Sequence, residues 1–200
     1  DRVSCETPRQ IEHYILRNGT FVEAANFANA FAARNDLTAE RGFFNPGRRE
    51  GLKLAFMEAV DQIPRPIDWY VQAVSSAMGV MGTYKGAQEL TAIGCIARPP
   101  RLLCVQQESC SPMAAAWREN SSVIRPHHIV AHPSGIAKAI LRGNPSGAYP
   151  HVYRIVTKSG GTIESVSESE IREARQMVRE LEGIDPCFSA STAVAGLIKL

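Results

Sequence analysis

The residues best placed to do chemistry in this 200-residue chain form a short stretch, Ser75-Ser76-Ala77-Met78-Gly79. The preceding run from Trp69 to Val74 reads as a strand, and a helical pattern follows to about Leu90, so these five residues form a turn at a strand's carboxyl end. In open α/β sheets anions bind at such turns, because unpaired backbone N–H groups and the positive end of the helix dipole converge there. Small residues let the backbone come close, and Gly79 would tolerate a positive φ. The same composition also suits an ordinary strand-to-helix connection, and residue types alone leave both readings open. A second group is Asn45-Pro46-Gly47-Arg48-Arg49-Glu50-Gly51, where Arg48 and Arg49 open a helix. Their planar forks suit phosphate or carboxylate; the plainer reading is two solvated first-turn residues. His127, His128 and His132 have a His-His-x-x-x-His spacing, but Pro126 and Pro133 leave no helical face to fix it, so the stretch reads as a surface loop without a metal. Cys104 and Cys110 have no sequence neighbour that would make either a nucleophile, and both read as buried structural thiols.

Alternating strands and helices must position these groups. Thr20 and Glu23 form a capping box ahead of a helix whose buried stripe would be Ala24, Phe27, Ala28 and Phe31. A second helix after Pro46-Gly47 would bury Leu52, Ala55, Phe56, Ala59, Val60 and Ile63, and stop at Pro64-Arg65-Pro66. Leu102 to Val105 reads as another strand, followed by a helix from Pro112 to Trp117 with Ser111 as its cap. The stretch from Asn120 to Pro150, rich in Pro, Gly, Ser and His, reads as a surface segment with one helical piece, Ile136 to Leu141. Thr162 to Val166 reads as a strand, and Ser167 with Glu170 caps a helix carrying Ile171, Ala174, Val178 and Leu181 and closed by Gly183. This order predicts an α/β fold with a mainly parallel sheet flanked by helices.

Composition narrows the function classes. The net charge of +2 comes from 22 basic and 20 acidic residues spread along the chain, with no run that would make a nucleic-acid or membrane footprint. No apolar stretch approaches the roughly 20 residues of a membrane span, and no secretory leader is evident, which reads as a cytoplasmic protein. The five cysteines are scattered, without a Cys-x-x-Cys pair, as expected of reduced thiols.

Several segments together resemble the fold-type II pyridoxal-phosphate (PLP) enzymes of the threonine synthase kind. They are Asn-Pro-x-Arg-x-Glu-Gly at Asn45 to Gly51, the Trp69 strand with its small-residue turn, Tyr84-Lys85-Gly86, and the stretch from Gly161 to Leu197 with Val166-Ser167, Glu170-Ile171, Glu182-Gly183-Ile184 and Ala195-Gly196-Leu197. Arg48-Arg49-Glu50-Gly51, Gln72-Ala73-Val74, Gln106-Gln107, Ser111-Pro112-Met113 and Trp117 are similar to the cysteate synthase branch.

The resemblance implies a tryptophan synthase β-like architecture, with residues 1–42 the end of a smaller α/β domain and 43–200 most of a larger cofactor-binding domain, incomplete at its C-terminus. It also implies that Ser75, Ser76, Ala77, Met78 and Gly79 hold the PLP phosphate, and that Arg48, seconded by Arg49, holds the phosphate of a small amino-acid substrate. The expected chemistry is β-replacement on O-phospho-L-serine; the alternative is conversion of O-phosphohomoserine, as in threonine synthase. The family's Schiff-base lysine would stand upstream of this sequence, and none of Lys53, Lys85, Lys138, Lys158 and Lys199 has its context. The 200 residues alone are therefore expected not to turn over. The parent would be a homodimer or would pair with a chain carrying the missing half. A rival of another class is a non-catalytic binding or scaffold protein that keeps the fold.

Overall fold

The computed structural model describes residues 14–200, so Cys5 and the rest of residues 1–13 lie outside the described part. The chain divides into two units between Ala39 and Glu40. The first holds helix α1 (Phe21–Arg34), opened by the expected capping box: Glu23 N–H donates to Thr20 Oγ1 at 3.3 Å and Thr20 N–H to Glu23 Oε2 at 2.7 Å. Its expected buried stripe is not buried. Ala24, Phe27 and Ala28 are exposed and Phe31 is half-buried, and with Tyr14, Ile15 and Leu16 they line an open apolar groove. Periodicity identified the apolar face of this helix, whereas burial depends on what packs against that face.

The second unit is built on a parallel sheet in the order β1 (Trp69–Ala73), β2 (Arg101–Gln107), β3 (Thr162–Val166). Before it come α2 (Pro46–Leu52) and α3 (Leu54–Gln62), where one continuous helix was expected. Of the six residues expected on its face only Phe56 is fully buried, while Leu52 and Ile63 are exposed. The break at Lys53 lets α2 press on α4 (Met78–Ala92) through two glycines one turn apart. A Cβ on Gly82 would stand 2.7 Å from Leu52 Cβ, and one on Gly86 would stand 3.2 Å from Lys53 Cβ. Such close approach needs small residues on one partner.

Strand β2 is the middle of the sheet, and Leu102 to Gln107 are all buried, as expected of a parallel strand covered on both faces. Alternate side chains divide the core. Leu102 and Cys104 join Val74, Met78, Val80, Tyr84 and Met113 on the face that carries α4, α5 (Pro112–Arg118) and α6 (Tyr149–Ser159). Leu103 and Val105 join Val166, Ile171, Ala174 and Ala195 under α7 (Glu168–Glu182) and α8 (Phe188–Lys199). The capping box of Ser167 with Glu170 and the left-handed Gly183 bound α7 as expected.

The segment expected to lie on the surface between Asn120 and Pro150 is instead packed into the unit. Ser121, His128, Ala137, Ile140 and Ala148 are buried, and Tyr149 Oη donates to the Ser121 carbonyl at 2.9 Å. Its helical piece shortens to a 3-10 turn, Lys138–Ile140. Helix α6 has no counterpart in the sequence expectation, although its buried residues Tyr149, Val152, Ile155 and Val156 recur at helical spacing; the preceding Gly and Pro residues mask that pattern. Among the described residues no helix is long and apolar enough to cross a membrane.

Candidate functional site

The turn after β1 opens onto the carboxyl edge of the sheet. Val74 N–H still donates to the Val105 carbonyl at 2.9 Å, and α4 begins four residues later. Between them, the six backbone N–H groups from Ser75 to Val80 donate to no acceptor among the described residues, and the first helical bond is Met81 N–H to the Ala77 carbonyl at 3.1 Å. No side chain caps this helix. Its N-cap, Ala77, sits in the left-handed region at φ 59°, a conformation that costs an alanine roughly 1–2 kcal/mol. Strain and orphaned donors together mark a backbone shaped for something other than its own hydrogen bonds.

Gly79 does not use the positive φ that a glycine would tolerate. A Cβ there would stand 2.5 Å from Gln72 Nε2 and 2.6 Å from Gln72 Oε1. The glycine makes room for that carboxamide, whose Oε1 also accepts from Tyr70 Oη at 3.1 Å. Positive φ falls on Ala77 instead.

Across the edge, the end of β2 carries two buried glutamines. Gln106 Oε1 accepts from the N–H groups of Met113 at 2.9 Å and Ala114 at 3.2 Å, so this strand side chain caps α5. Ser111, the expected cap, makes no capping hydrogen bond; its hydroxyl donates to the Glu108 carbonyl at 3.1 Å. Gln107 reaches the opposite face and exchanges hydrogen bonds with the Ala137 backbone.

Asn45 caps α2, accepting from Arg48 N–H at 3.1 Å, and its amide donates to the Glu40 carbonyl at 2.9 Å. The Arg48 guanidinium is exposed and its Nη1 lies 3.3 Å from each Glu40 oxygen, so a carboxylate already meets one arm of its fork. Arg49 is half-buried, and its carbonyl lies against Gly82 of α4. Both arginines thus ride on the helix packed against the one that the turn opens.

Lys53 and Lys85 close a ring of charge with Glu50 and Glu89. Lys53 Nζ is 2.6 Å from Glu50 and 2.7 Å from Glu89, and Lys85 Nζ is 2.7 Å from Glu50 and also pairs with Glu89. Hydrogen bonds from the two ammonium groups lower the Glu50 carboxyl to about 2 and raise both lysines. A lysine that forms an imine must shed its proton, and these two hold theirs more firmly. Lys199 donates to the Ser165 carbonyl at 2.8 Å, while Lys138 and Lys158 are exposed.

The histidines divide. His132 stays apart, while His127 and His128 converge on Glu119: His127 Nε2 is 3.1 Å from Glu119 Oε2, and His128 Nε2 is 3.0 Å from the same oxygen. His128 is buried rather than on a surface loop, and its Nδ1 accepts from Arg125 N–H at 3.0 Å. With Nδ1 accepting that bond, Nε2 is the ring nitrogen that faces the carboxylate. The two imidazoles beside Glu119 at the end of α5 hold its carboxyl below its ordinary range. Cys104 is wholly buried and its thiol is pushed up to about 12; burial raises Cys110 as well, so neither is an activated nucleophile.

A parallel sheet covered on both faces, with a row of unpaired amides at a strand's carboxyl end, defines an α/β protein of the kind whose ligands bind at that edge. Residues 9–200 match the family described as pyridoxal-phosphate dependent enzyme, and the chain belongs to it. It is 28% identical to a cysteate synthase from Methanospirillum hungatei over 205 aligned residues, covering all of this chain and 49% of that protein. It is 32% identical to a threonine synthase from Methanosarcina acetivorans, covering 88% of this chain and 44% of that one. Among solved structures, a maize serine racemase superposes with a TM-score of 0.68 at 15% identity, over 89% of this chain and 51% of that one. The chain spans about half the length of the curated relatives it matches. The family's cofactor carries a phosphate ester, and the unpaired amides from Ser75 to Val80 fit such a group.

Proposed function

We propose that the complete protein catalyses a PLP-dependent replacement at the β-carbon of O-phospho-L-serine. The observation that carries this reading is the row of unpaired N–H groups from Ser75 to Val80 in a chain of the PLP family. In it, Ser75 to Gly79 bind the cofactor phosphate through backbone donors and the positive end of α4, and the Ala77 conformation aims those donors. PLP, when bound, supplies the electron sink that makes loss of the α-proton and of the β-substituent possible. Arg48 exchanges Glu40 for the substrate phosphate and carries that group as it leaves, and Arg49 lies beside it. Residues 1–42 would belong to a smaller domain and 43–200 to the cofactor domain, in a homodimer.

The alignment of the whole of this chain to 49% of a cysteate synthase supports phosphoserine. A second reading, O-phosphohomoserine as substrate, is supported by the slightly higher identity to a threonine synthase over a shorter span. The complete protein, loaded with PLP, is assayed with each phosphorylated amino acid and, for phosphoserine, with sulfite. Phosphate release that depends on sulfite and yields cysteate is the expected result. Threonine from phosphohomoserine establishes the second reading instead. PLP binding without either product leaves a non-catalytic binding protein.

A further inference from the structure

Three hydrogen bonds and one glycine fasten a distant segment to the carboxyl end of β2. Gln107 is 1% exposed; its Nε2 donates to the Ala137 carbonyl at 3.3 Å and its Oε1 accepts from Ala137 N–H at 3.2 Å. Two residues on, Ser109 Oγ donates to the Ser134 carbonyl at 2.7 Å. Between those anchor points lies Gly135 at φ 141°, a region open only to glycine, and a Cβ there would stand 2.2 Å from Gln107 Oε1 and 2.6 Å from Ser109 Oγ. The segment from Ser134 to Ala137 is thus seated on these two side chains so closely that its backbone replaces a side chain's volume.

Its position follows from the sheet. Ala73, the last residue of β1, pairs with Val105, so Gln107 stands beside the Ser75–Ala77 turn at the same edge. Side chains alternate along β2. Gln106 points to the face of α4 and α5, and Gln107 to the face of α7 and α8, where Ile136 packs against the cluster that contains Val105. The phosphate turn and the Ser134–Ala137 segment therefore flank the carboxyl edge from opposite faces, the crevice in which α/β proteins bind their ligands.

We propose that Gln107 and Ser109 are positioning residues that hold Ser134 to Ala137 as the second wall of the amino-acid site, facing the phosphate turn. The inference rests on the PLP-enzyme reading above and deepens it. With the cofactor's phosphate held by Ser75 to Gly79, the wall bounds the space left for the substrate side chain, and so it sets whether the shorter phosphoserine or the longer phosphohomoserine is preferred.

The test uses the complete protein loaded with PLP. Amide hydrogen exchange at Gly135 to Ala137 should slow on adding L-serine, O-phosphoserine or O-phosphohomoserine, beyond any slowing by PLP alone. Ser109→Ala should raise KM for the preferred substrate by about three- to tenfold and narrow its discrimination between the two phosphorylated amino acids. Its kcat should move less and its PLP affinity should stay within about twofold. Gln107→Met, which leaves the Ala137 N–H without a partner while the Ala137 carbonyl still accepts from Ile140 N–H at 3.1 Å, should speed Ala137 exchange by about tenfold or more even before cofactor is added. Gly135→Ala should do the same, and Gly51→Ala, whose added Cβ meets open space at a φ that is not positive, should not. Exchange at 135–137 that no amino acid alters, or a Ser109→Ala enzyme with unchanged KM and discrimination, overturns the wall. Protection by L-serine without turnover of either phosphorylated substrate overturns the proposed reaction and leaves the wall standing.

Discussion

Replacing Arg48 by alanine separates substrate binding from surface charge. Arg48 Nη1 lies 3.3 Å from both Glu40 oxygens, and both side chains are more than half exposed, 55% and 56%. An exposed pair of this kind contributes about 0–1 kcal/mol, so Arg48→Ala should leave the unfolding midpoint almost unchanged. A guanidinium that grips a substrate phosphate makes charge-assisted hydrogen bonds worth about 1.5–3 kcal/mol, which corresponds to a loss in kcat/KM of about ten- to a hundredfold or somewhat more. Glu40 supplies the opposing perturbation. Because the substrate must displace that carboxylate, Glu40→Gln should lower KM for the phosphorylated substrate, by no more than about fivefold given the weakness of an exposed pair. It keeps an oxygen for Gly42 N–H, which now donates to Glu40 Oε2 at 2.8 Å, so the local turn should survive. The assay is steady-state kinetics of the complete protein with both phosphorylated amino acids, alongside urea unfolding. Arg48→Ala with unchanged efficiency on both substrates, or Glu40→Gln with a raised KM and intact folding, refutes the assignment of Arg48 to the substrate phosphate.

Gln106→Met removes the acceptor for Met113 and Ala114 N–H and should destabilise the protein by about 1–3 kcal/mol for each amide left unsatisfied, whereas Gln106→Glu keeps an acceptor and should lose less. Urea unfolding followed by tryptophan fluorescence would show equal losses if the cap contributes nothing. The Glu50 carboxyl is depressed in the folded state, so its contribution is complete above the ordinary carboxyl value of 4.5 and is lost as pH falls toward about 2. Thermal scans over that window should fall less steeply for Glu50→Gln than for the unaltered protein, and an identical slope would show that the ring around Lys53 and Lys85 is fully screened. Among the described cysteines, Cys95 and Cys187 should alkylate readily in the native protein at a pH of about 8, while Cys104 and Cys110 should react only after unfolding; rapid labelling of Cys104 would contradict its burial.

Much of this protein could be read locally from its residues. The capping boxes at Thr20 and Ser167, the β1–turn–α4 unit around Ser75 to Gly79 and the apolar run of β2 arise from interactions within a few residues, and each appears where the pattern places it. The family resemblance likewise rested on short ordered segments. The same local logic failed where the partner is distant in the chain. Gln106, not Ser111, caps α5, because a strand side chain reaches amides that the adjacent hydroxyl does not. Gly79 is small because Gln72, on the preceding strand, fills the space above it, and the left-handed residue is Ala77. Arg48 reads as a free cation in sequence, yet folding brings Glu40 to its fork, and His128 reads as a loop residue, yet folding buries it against Glu119. The wall at Ser134 to Ala137 has no local signal beyond a glycine among prolines, since its anchors stand 30 and 25 residues away on β2 and the turn that follows it. Residue spacing specifies torsions and the apolar face of each element. Which polar group meets which across the sheet edge is decided only when the elements pack, because a hydrogen bond needs its two atoms within about 3 Å and carries no periodicity along the chain.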